Sequence, residues 1–139
     1  MHFSTLYLLK DEELENTSLQ KIELDFGMRF CYACGETTPK YRHWCDCFQI
    51  GGRWNDRLIA ETGIRGVPSF LTNDAYPIPN GFSICEIKDL IVPVNPESIY
   101  AIALKSKIIP YTDERMSYYL YKINNKLIKG VVALVDCHD

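Results

Sequence analysis

Hydrophobic and polar residues recur along this chain with two different periods, which predict a mixture of strands and helices. Runs of β-branched, aromatic and aliphatic residues predict strands at residues 3–9, 99–104 and 131–135. Alternation of apolar and acidic residues predicts a further short strand at residues 22–26. Residues 84–92 fit either a strand or a short helix that ends before a proline.

Helical periodicity is clearest near the end of the chain and predicts a helix over residues 113–123. The apolar residues of this segment have the spacing of one helix face; they are Met116, Tyr119, Leu120 and Ile123. Residues 11–20 are acidic and permit a helix, and residues 55–61 predict one or two helical turns.

Turn-forming residues separate these elements, most of all in a long Pro/Gly loop at residues 63–81. Loops of this length often carry function rather than core. The chain shows no internal repeat, no low-complexity segment and no linker. The sequence therefore predicts a single α+β domain over residues 1–139, with a mostly antiparallel sheet and one or two helices.

The composition is that of an ordinary globular protein, with 47% hydrophobic and 24% charged residues. A net charge of -3 argues against a broad basic face for duplex nucleic acid. The longest apolar stretches, such as residues 131–135, are far too short to span a bilayer. The first residues lack the pattern of a signal peptide, so we expect a cytoplasmic protein without membrane contact.

Four of the six cysteines lie close together in the sequence and predict a zinc site. Cys31 and Cys34 have the two-residue spacing and the following glycine of a zinc knuckle. Cys45 and Cys47 are separated by only one residue, a spacing that fits a zinc site less well. His43 could replace one of them. A closed site of four ligands would stabilise the first third of the chain.

The same cysteines also have a purely structural interpretation, because a free thiol behaves as a small hydrophobic side chain. Cys85 and Cys137 are isolated in the sequence, and we expect both in the core. Disulfide bonds are not expected, since no secretory signal is visible.

A segment that combines two glycines, an arginine and a tryptophan predicts a ligand site. Gly51 and Gly52 follow an apolar run and permit a tight turn with close backbone approach to a ligand. Arg53 can bind a phosphate bidentately, and Trp54 offers a face that stacks on a base or covers the arginine. The alternative is structural: a glycine bulge, a tryptophan in the core, and Arg53 paired with an acid such as Asp46.

The chain resembles a family of small, largely uncharacterised proteins from bacteriophages and mobile elements. Three blocks carry the resemblance: an opening His2-Phe-Ser-Thr-Leu, residues 46–54, and a closing Asp136-Cys-His. The central block is similar to the family pattern Asp-Trp-Tyr-x-Ile-Gly-Gly-Arg-Trp, although Cys-Phe stands here in place of Trp-Tyr. The resemblance implies a phage-type accessory protein in the bacterial host cytoplasm, and it implies no particular chemistry. The first cysteine pair is not part of the family pattern.

The two terminal blocks suggest where polar side chains meet. If the first and last strands are antiparallel neighbours, His2 lies near Asp136 and His138. Asp46 and Arg53 could reach the same rim from the central block. Two histidines, two carboxylates and an arginine can form a metal site or a general acid–base pair that acts on a phosphate. Alternatively, such terminal residues are simply solvated.

The segment His2-Phe-Ser4 is also similar to the His-x-Ser/Thr motif of two-histidine phosphoesterases. That family has two such motifs, whereas His138 is followed only by Asp139 in this sequence. A homodimer would supply a second copy, and the sequence leaves the oligomeric state open.

Three functional hypotheses follow from the sequence. In the first, an anti-defence-like accessory protein binds a nucleotide or another phosphate-bearing molecule and sequesters it or hydrolyses a phosphodiester. In the second, the chain is a non-catalytic inhibitor that binds a host defence nuclease or complex. In the third, it is a structural module stabilised by zinc.

Overall fold

The computed structural model describes residues 1–31, 44–63, 67–71, 83–105 and 107–139. The strands are β1 (His2–Lys10), β2 (Cys47–Ile50), β3 (Ile84–Glu86), β4 (Ala101–Leu104), β5 (Lys107–Pro110) and β6 (Gly130–His138). The α-helices in these residues are α1 (Asp11–Leu14), α2 (Leu19–Phe30), α3 (Asn55–Thr62) and α4 (Arg115–Asn124).

The strands form one six-stranded sheet with β1 and β6 at its centre. The order is β2-β6-β1-β4-β5, and β3 pairs with β6 beside β2. The β1–β6 pair is antiparallel along its whole length, from His2 opposite His138 to Lys10 opposite Gly130. Among the pairings of these six strands, only β1–β4 is parallel. This mixed sheet with its helices confirms the predicted α+β class.

Helices cover both faces of the sheet, and each face has its own apolar core. Alternate residues of β1 point to opposite faces. Tyr7 packs against α2, with its ring 5.1 Å from that of Phe26. Leu6 and Leu8 belong to the other core, to which α3 contributes Leu58 and α4 contributes three buried residues.

The prediction of a strand at residues 22–26 is wrong, because this segment is part of α2. Its buried residues Ile22, Phe26 and Phe30 recur every fourth position and face the sheet. Burial of each such side chain stabilises the fold by about 1.5–3 kcal/mol. This free energy favours the helix over the strand that the short alternation suggests. The Ser18 hydroxyl accepts a hydrogen bond from the Lys21 N–H and caps the helix.

The other predicted elements agree more closely with the structure. The helix expected at residues 113–123 is α4, and the turns expected at residues 55–61 are α3. The last strand, predicted at residues 131–135, extends over the whole of β6. Strand β5 was not predicted. Helix α1 lies within residues 11–20, where the sequence permits a helix, and with α2 the described residues contain more helices than the one or two expected.

Most of the long Pro/Gly loop predicted at residues 63–81 lies outside the described residues. Within it, a single 3-10 turn is described at Ser69–Leu71. In the described part of the chain, no helix combines the length and the apolar character needed to cross a membrane.

Candidate functional site

The central strands β1 and β6 carry polar side chains at one end of a sheet face whose interior is apolar. On β1 this face carries His2 and Ser4 and then Leu6 and Leu8. On the paired strand β6, the side chains of this face also change from apolar to polar, and the polar ones lie opposite those of β1. These polar residues of β6 are Asp136 and His138, and the apolar ones are Val132 and Leu134. The antiparallel pairing brings both polar ends together, as the sequence predicts.

A histidine and a carboxylate form a close pair at this polar end. The Nδ1 atom of His2 lies 2.7 Å from Oδ1 of Asp136. The Asp136 side chain is only 8% exposed, whereas that of His2 is 32% exposed. Because a carboxylate accepts hydrogen bonds, this contact places the imidazole proton on Nδ1. The Nε2 atom is then the ring nitrogen that can accept a proton, as a general base requires.

The glycine turn after β2 holds the other oxygen of the Asp136 carboxylate. The backbone N–H of Arg53 donates a hydrogen bond of 2.9 Å to Asp136 Oδ2. Gly51 and Gly52 have φ angles of 83° and 52°, which favour glycine. A Cβ atom on Gly52 would lie 2.7 Å from both Cβ and Oδ2 of Asp136. The pair of glycines therefore allows the turn to approach the carboxylate.

A groove with a volume of about 420 Å³ opens beside this pair, and His2 and Ser4 line part of it. Its size is in the range of small-molecule sites. On one side the guanidinium carbon of Arg57 lies 4.7 Å from the centre of the Trp54 ring. Arg57 Nη1 also donates a hydrogen bond of 3.3 Å to the carbonyl oxygen of Ser98. One groove is therefore lined both by a histidine that is paired with a carboxylate and by an arginine that lies against a tryptophan ring.

Two tyrosines line another part of the groove. The ring centroids of Tyr100 and Tyr111 are 5.1 Å apart. The ring of Tyr100 also contacts those of Phe3 and Trp44. The backbone N–H of Tyr100 donates to the carbonyl oxygen of Ser4, and that of Tyr111 donates to the carbonyl oxygen of Tyr100. The backbone hydrogen bonds place both tyrosines at the end of the sheet, and the neighbouring rings support Tyr100.

The structure brings together only some of the residues that the sequence places at the rim. The ring of His138 lies edge-on to that of His2, with centroids 4.9 Å apart. The backbone of Asp46 is adjacent, since its N–H donates a hydrogen bond of 2.7 Å to the carbonyl oxygen of His138. The Asp46 side chain is exposed. The Arg53 side chain is exposed and does not line the groove, although its neighbour Trp54 does.

Sequence reasoning missed Arg57, the arginine that lines the groove. One local signal could have found it, because residues three positions apart on a helix are neighbours. Trp54 and Arg57 have that spacing. Ser98, Tyr100 and Tyr111 had no comparable signal, because the β1–β4 and β4–β5 pairings that place the tyrosines near the site join distant parts of the chain.

Of the four predicted zinc ligands, the structure places three. Cys31 and Cys45 are buried neighbours at an isolated bridge, and Cys47 is exposed on β2. A hydrogen bond with the Cys137 thiol, together with burial, raises the pKa of Cys45 well above its usual range. Cys34 lies outside the described residues, as does His43, so the four-cysteine site stays a prediction.

Among the residues that the structure does describe, no group of three or more His, Cys, Asp or Glu side chains is placed to hold a metal ion. The expectation that Cys85 and Cys137 lie in the core is met, since both are buried. Burial raises the pKa of the Cys85 thiol to about 12.

Comparisons with protein-family models, with curated proteins and with solved structures found no match to this chain.

Proposed function

We propose that this protein binds a phosphate-bearing small molecule in the groove beside His2, with Arg57 as its phosphate ligand. The observation that carries the proposal is the His2–Asp136 pair, which borders the same groove as the Arg57 guanidinium. A guanidinium recognises phosphate through charge and paired N–H donors. Stacking on Trp54 and the hydrogen bond to Ser98 hold this guanidinium in place before a ligand arrives.

The same geometry supports hydrolysis of a phosphodiester. His2 Nε2 takes a proton from a water molecule whose oxygen attacks the phosphorus. The P–O bond to the leaving group breaks, and the leaving oxygen takes a proton from solvent. Asp136 keeps the imidazole in the required tautomer and stabilises the imidazolium that forms. Binding without this step would sequester the ligand instead.

The resemblance to proteins of phages and mobile elements supplies the proposed setting. In an infected bacterial cell, a protein that sequesters or hydrolyses a nucleotide signal would act against host defence. The groove chemistry fits this role, because such signals carry phosphates.

Two measurements test the proposal. Calorimetric titration with adenosine 5′-monophosphate measures binding, and release of nitrophenolate from bis(p-nitrophenyl) phosphate measures hydrolysis. We expect His2→Gln to lower the hydrolysis rate by about 100- to 10,000-fold, the usual contribution of a general base. Lys88→Ala is a suitable control, because Lys88 is an exposed cation that follows β3 at the other end of β6.

Binding without hydrolysis by the unmodified protein would favour sequestration. Absence of both would contradict the proposal and leave a protein-binding inhibitor of a host defence nuclease or complex. Complex formation with such a nuclease in gel filtration would then be the next measurement.

The zinc site is a separate proposal, supported by the spacing of Cys31, Cys34, Cys45 and Cys47 and by the proximity of Cys31 to Cys45. Native and denaturing mass spectra of protein purified without chelator test it. A native mass that exceeds the denatured mass by one zinc ion supports the site. Equal masses contradict it.

A further inference from the structure

We infer that the ligand of this groove is a nucleotide whose base stacks on the wall formed by Tyr100 and Tyr111. This inference rests on the proposed function and narrows its ligand from phosphate-bearing molecules to those that carry a nucleobase. The wall and the Arg57 guanidinium line the same groove, so one ligand of nucleotide size can contact both.

Trp54, the stacking residue suggested by the sequence, is already occupied. The Arg57 guanidinium covers its ring at 4.7 Å, and the indole packs against the core beneath α3. Its Nε1 atom is buried and has no hydrogen-bond partner in the described residues. Trp54 therefore orients the arginine, and another aromatic surface must receive a base.

Tyr100 and Tyr111 provide that surface. Tyr111 is 58% exposed and Tyr100 is 38% exposed. Tyr100 is supported by the rings of Phe3 and Trp44, at 5.1 and 6.0 Å between centroids. A rigid, exposed ring stacks on a base with little loss of side-chain entropy, and every base has a π-face to offer.

Glu97 adds a carboxylate to the groove, and this group suits the N–H donors of a base better than an additional phosphate. It lines the groove and is exposed, and none of the ion pairs in the described residues involves it. A carboxylate accepts N–H donors, such as the exocyclic amine of adenine, whereas it repels a second phosphate.

Calorimetric titration with adenosine 5′-monophosphate and with ribose 5-phosphate tests the inference. We expect the unmodified protein to bind the nucleotide more tightly than the sugar phosphate. Tyr111→Ala should weaken nucleotide binding by about 5- to 150-fold, the usual contribution of stacking on one base, and leave ribose 5-phosphate binding unchanged. Tyr111→Phe should retain nucleotide binding.

Tyr121→Ala is the matched control, because Tyr121 is 60% exposed and lies on α4 outside the groove. Equal affinity for the two ligands, with no effect of Tyr111→Ala, would overturn the inference and leave the proposed function intact. No binding of either ligand by the unmodified protein would overturn the inference. If hydrolysis of bis(p-nitrophenyl) phosphate is absent as well, the proposed function is overturned too.

Discussion

The Asp136 carboxylate uses both of its oxygens to join three segments of the chain. One oxygen binds the His2 ring on β1, and the other accepts the Arg53 N–H from the glycine turn. Asp136 itself lies near the end of β6, one of the two central strands of the sheet. Because it is nearly buried, each hydrogen bond that it accepts compensates for lost hydration. The orientation of the histidine therefore depends on the glycine turn as well as on the sheet.

Asp136→Asn tests the tautomer of His2. The amide oxygen can still accept the Arg53 N–H, while the amide nitrogen then donates to His2 Nδ1 and places the ring proton on Nε2. We expect the variant to fold and to bind adenosine 5′-monophosphate, but to lose about 100- to 10,000-fold in hydrolysis of bis(p-nitrophenyl) phosphate. Nitrogen-15 NMR of the ring reports the tautomer directly. Unchanged hydrolysis would show that Nε2 is not the base.

Gly52→Ala tests the close approach of the turn to Asp136. The new Cβ would collide with the Asp136 side chain, and φ of 52° is unfavourable for alanine. We expect a destabilisation of about 1–3 kcal/mol in urea unfolding, the usual cost of such backbone strain.

Gly63→Ala is the control for Gly52→Ala, since Gly63 also has a positive φ, of 73°. Its new Cβ would meet only the tip of the Ile91 side chain, which is exposed and can move. Gly63→Ala should therefore leave the His2 ring environment unchanged in NMR spectra. Equal perturbation of His2 by both variants would contradict the role of Gly52.

At the scale of elements, the change from apolar to polar side chains along one face of β1 and β6 creates the site. The interior halves of these strands pack under α3 and α4, whereas their outer ends are left for the glycine turn and the groove. This change is visible in the sequence once the two strands are paired. The tyrosine wall is not visible, because it depends on where β4 and β5 join the sheet.

An ion pair between Asp113 and Arg115 lies at the start of α4 and can be tested through its pH dependence. Hydrogen bonds from the side chain and the backbone N–H of Arg115 lower the pKa of Asp113 from 3.8 to about 2. A carboxyl with a depressed pKa stabilises the fold above pH 3.8, and this contribution disappears as the pH falls to about 2. The effect is small, because the pair is exposed to solvent.

Asp113→Asn keeps an acceptor for the Arg115 N–H and removes the charge. We expect the unmodified protein to have a slightly higher urea midpoint than the variant at neutral pH, and the difference to shrink as the pH falls toward 2. Other carboxyls titrate equally in both proteins, so the difference isolates Asp113. A difference that is the same at both pH values would contradict the assignment.

At the scale of the whole molecule, the sequence predicts the fold class and the meeting of His2 with Asp136, because both depend on strong local patterns and one strand pairing. It fails for residues 22–26, where a short alternation also fits a helix with buried residues every fourth position. The sequence expects Arg53 at the polar rim, whereas the structure puts Arg57 in the groove wall and leaves the Arg53 side chain exposed outside it. The direction of a side chain after a glycine turn depends on the three-dimensional path of the chain, which local patterns do not give.

The two arginines allow the most direct test of the groove as the ligand site. Arg57→Ala and Arg53→Ala remove the same side chain from positions four residues apart, and only Arg57 lines the groove. Calorimetric titration with adenosine 5′-monophosphate should show about 10- to 150-fold weaker binding for Arg57→Ala, the usual value of hydrogen bonds to a charged group, and a smaller loss for Arg53→Ala. Loss of binding in Arg53→Ala with full affinity in Arg57→Ala would contradict the groove as the binding site.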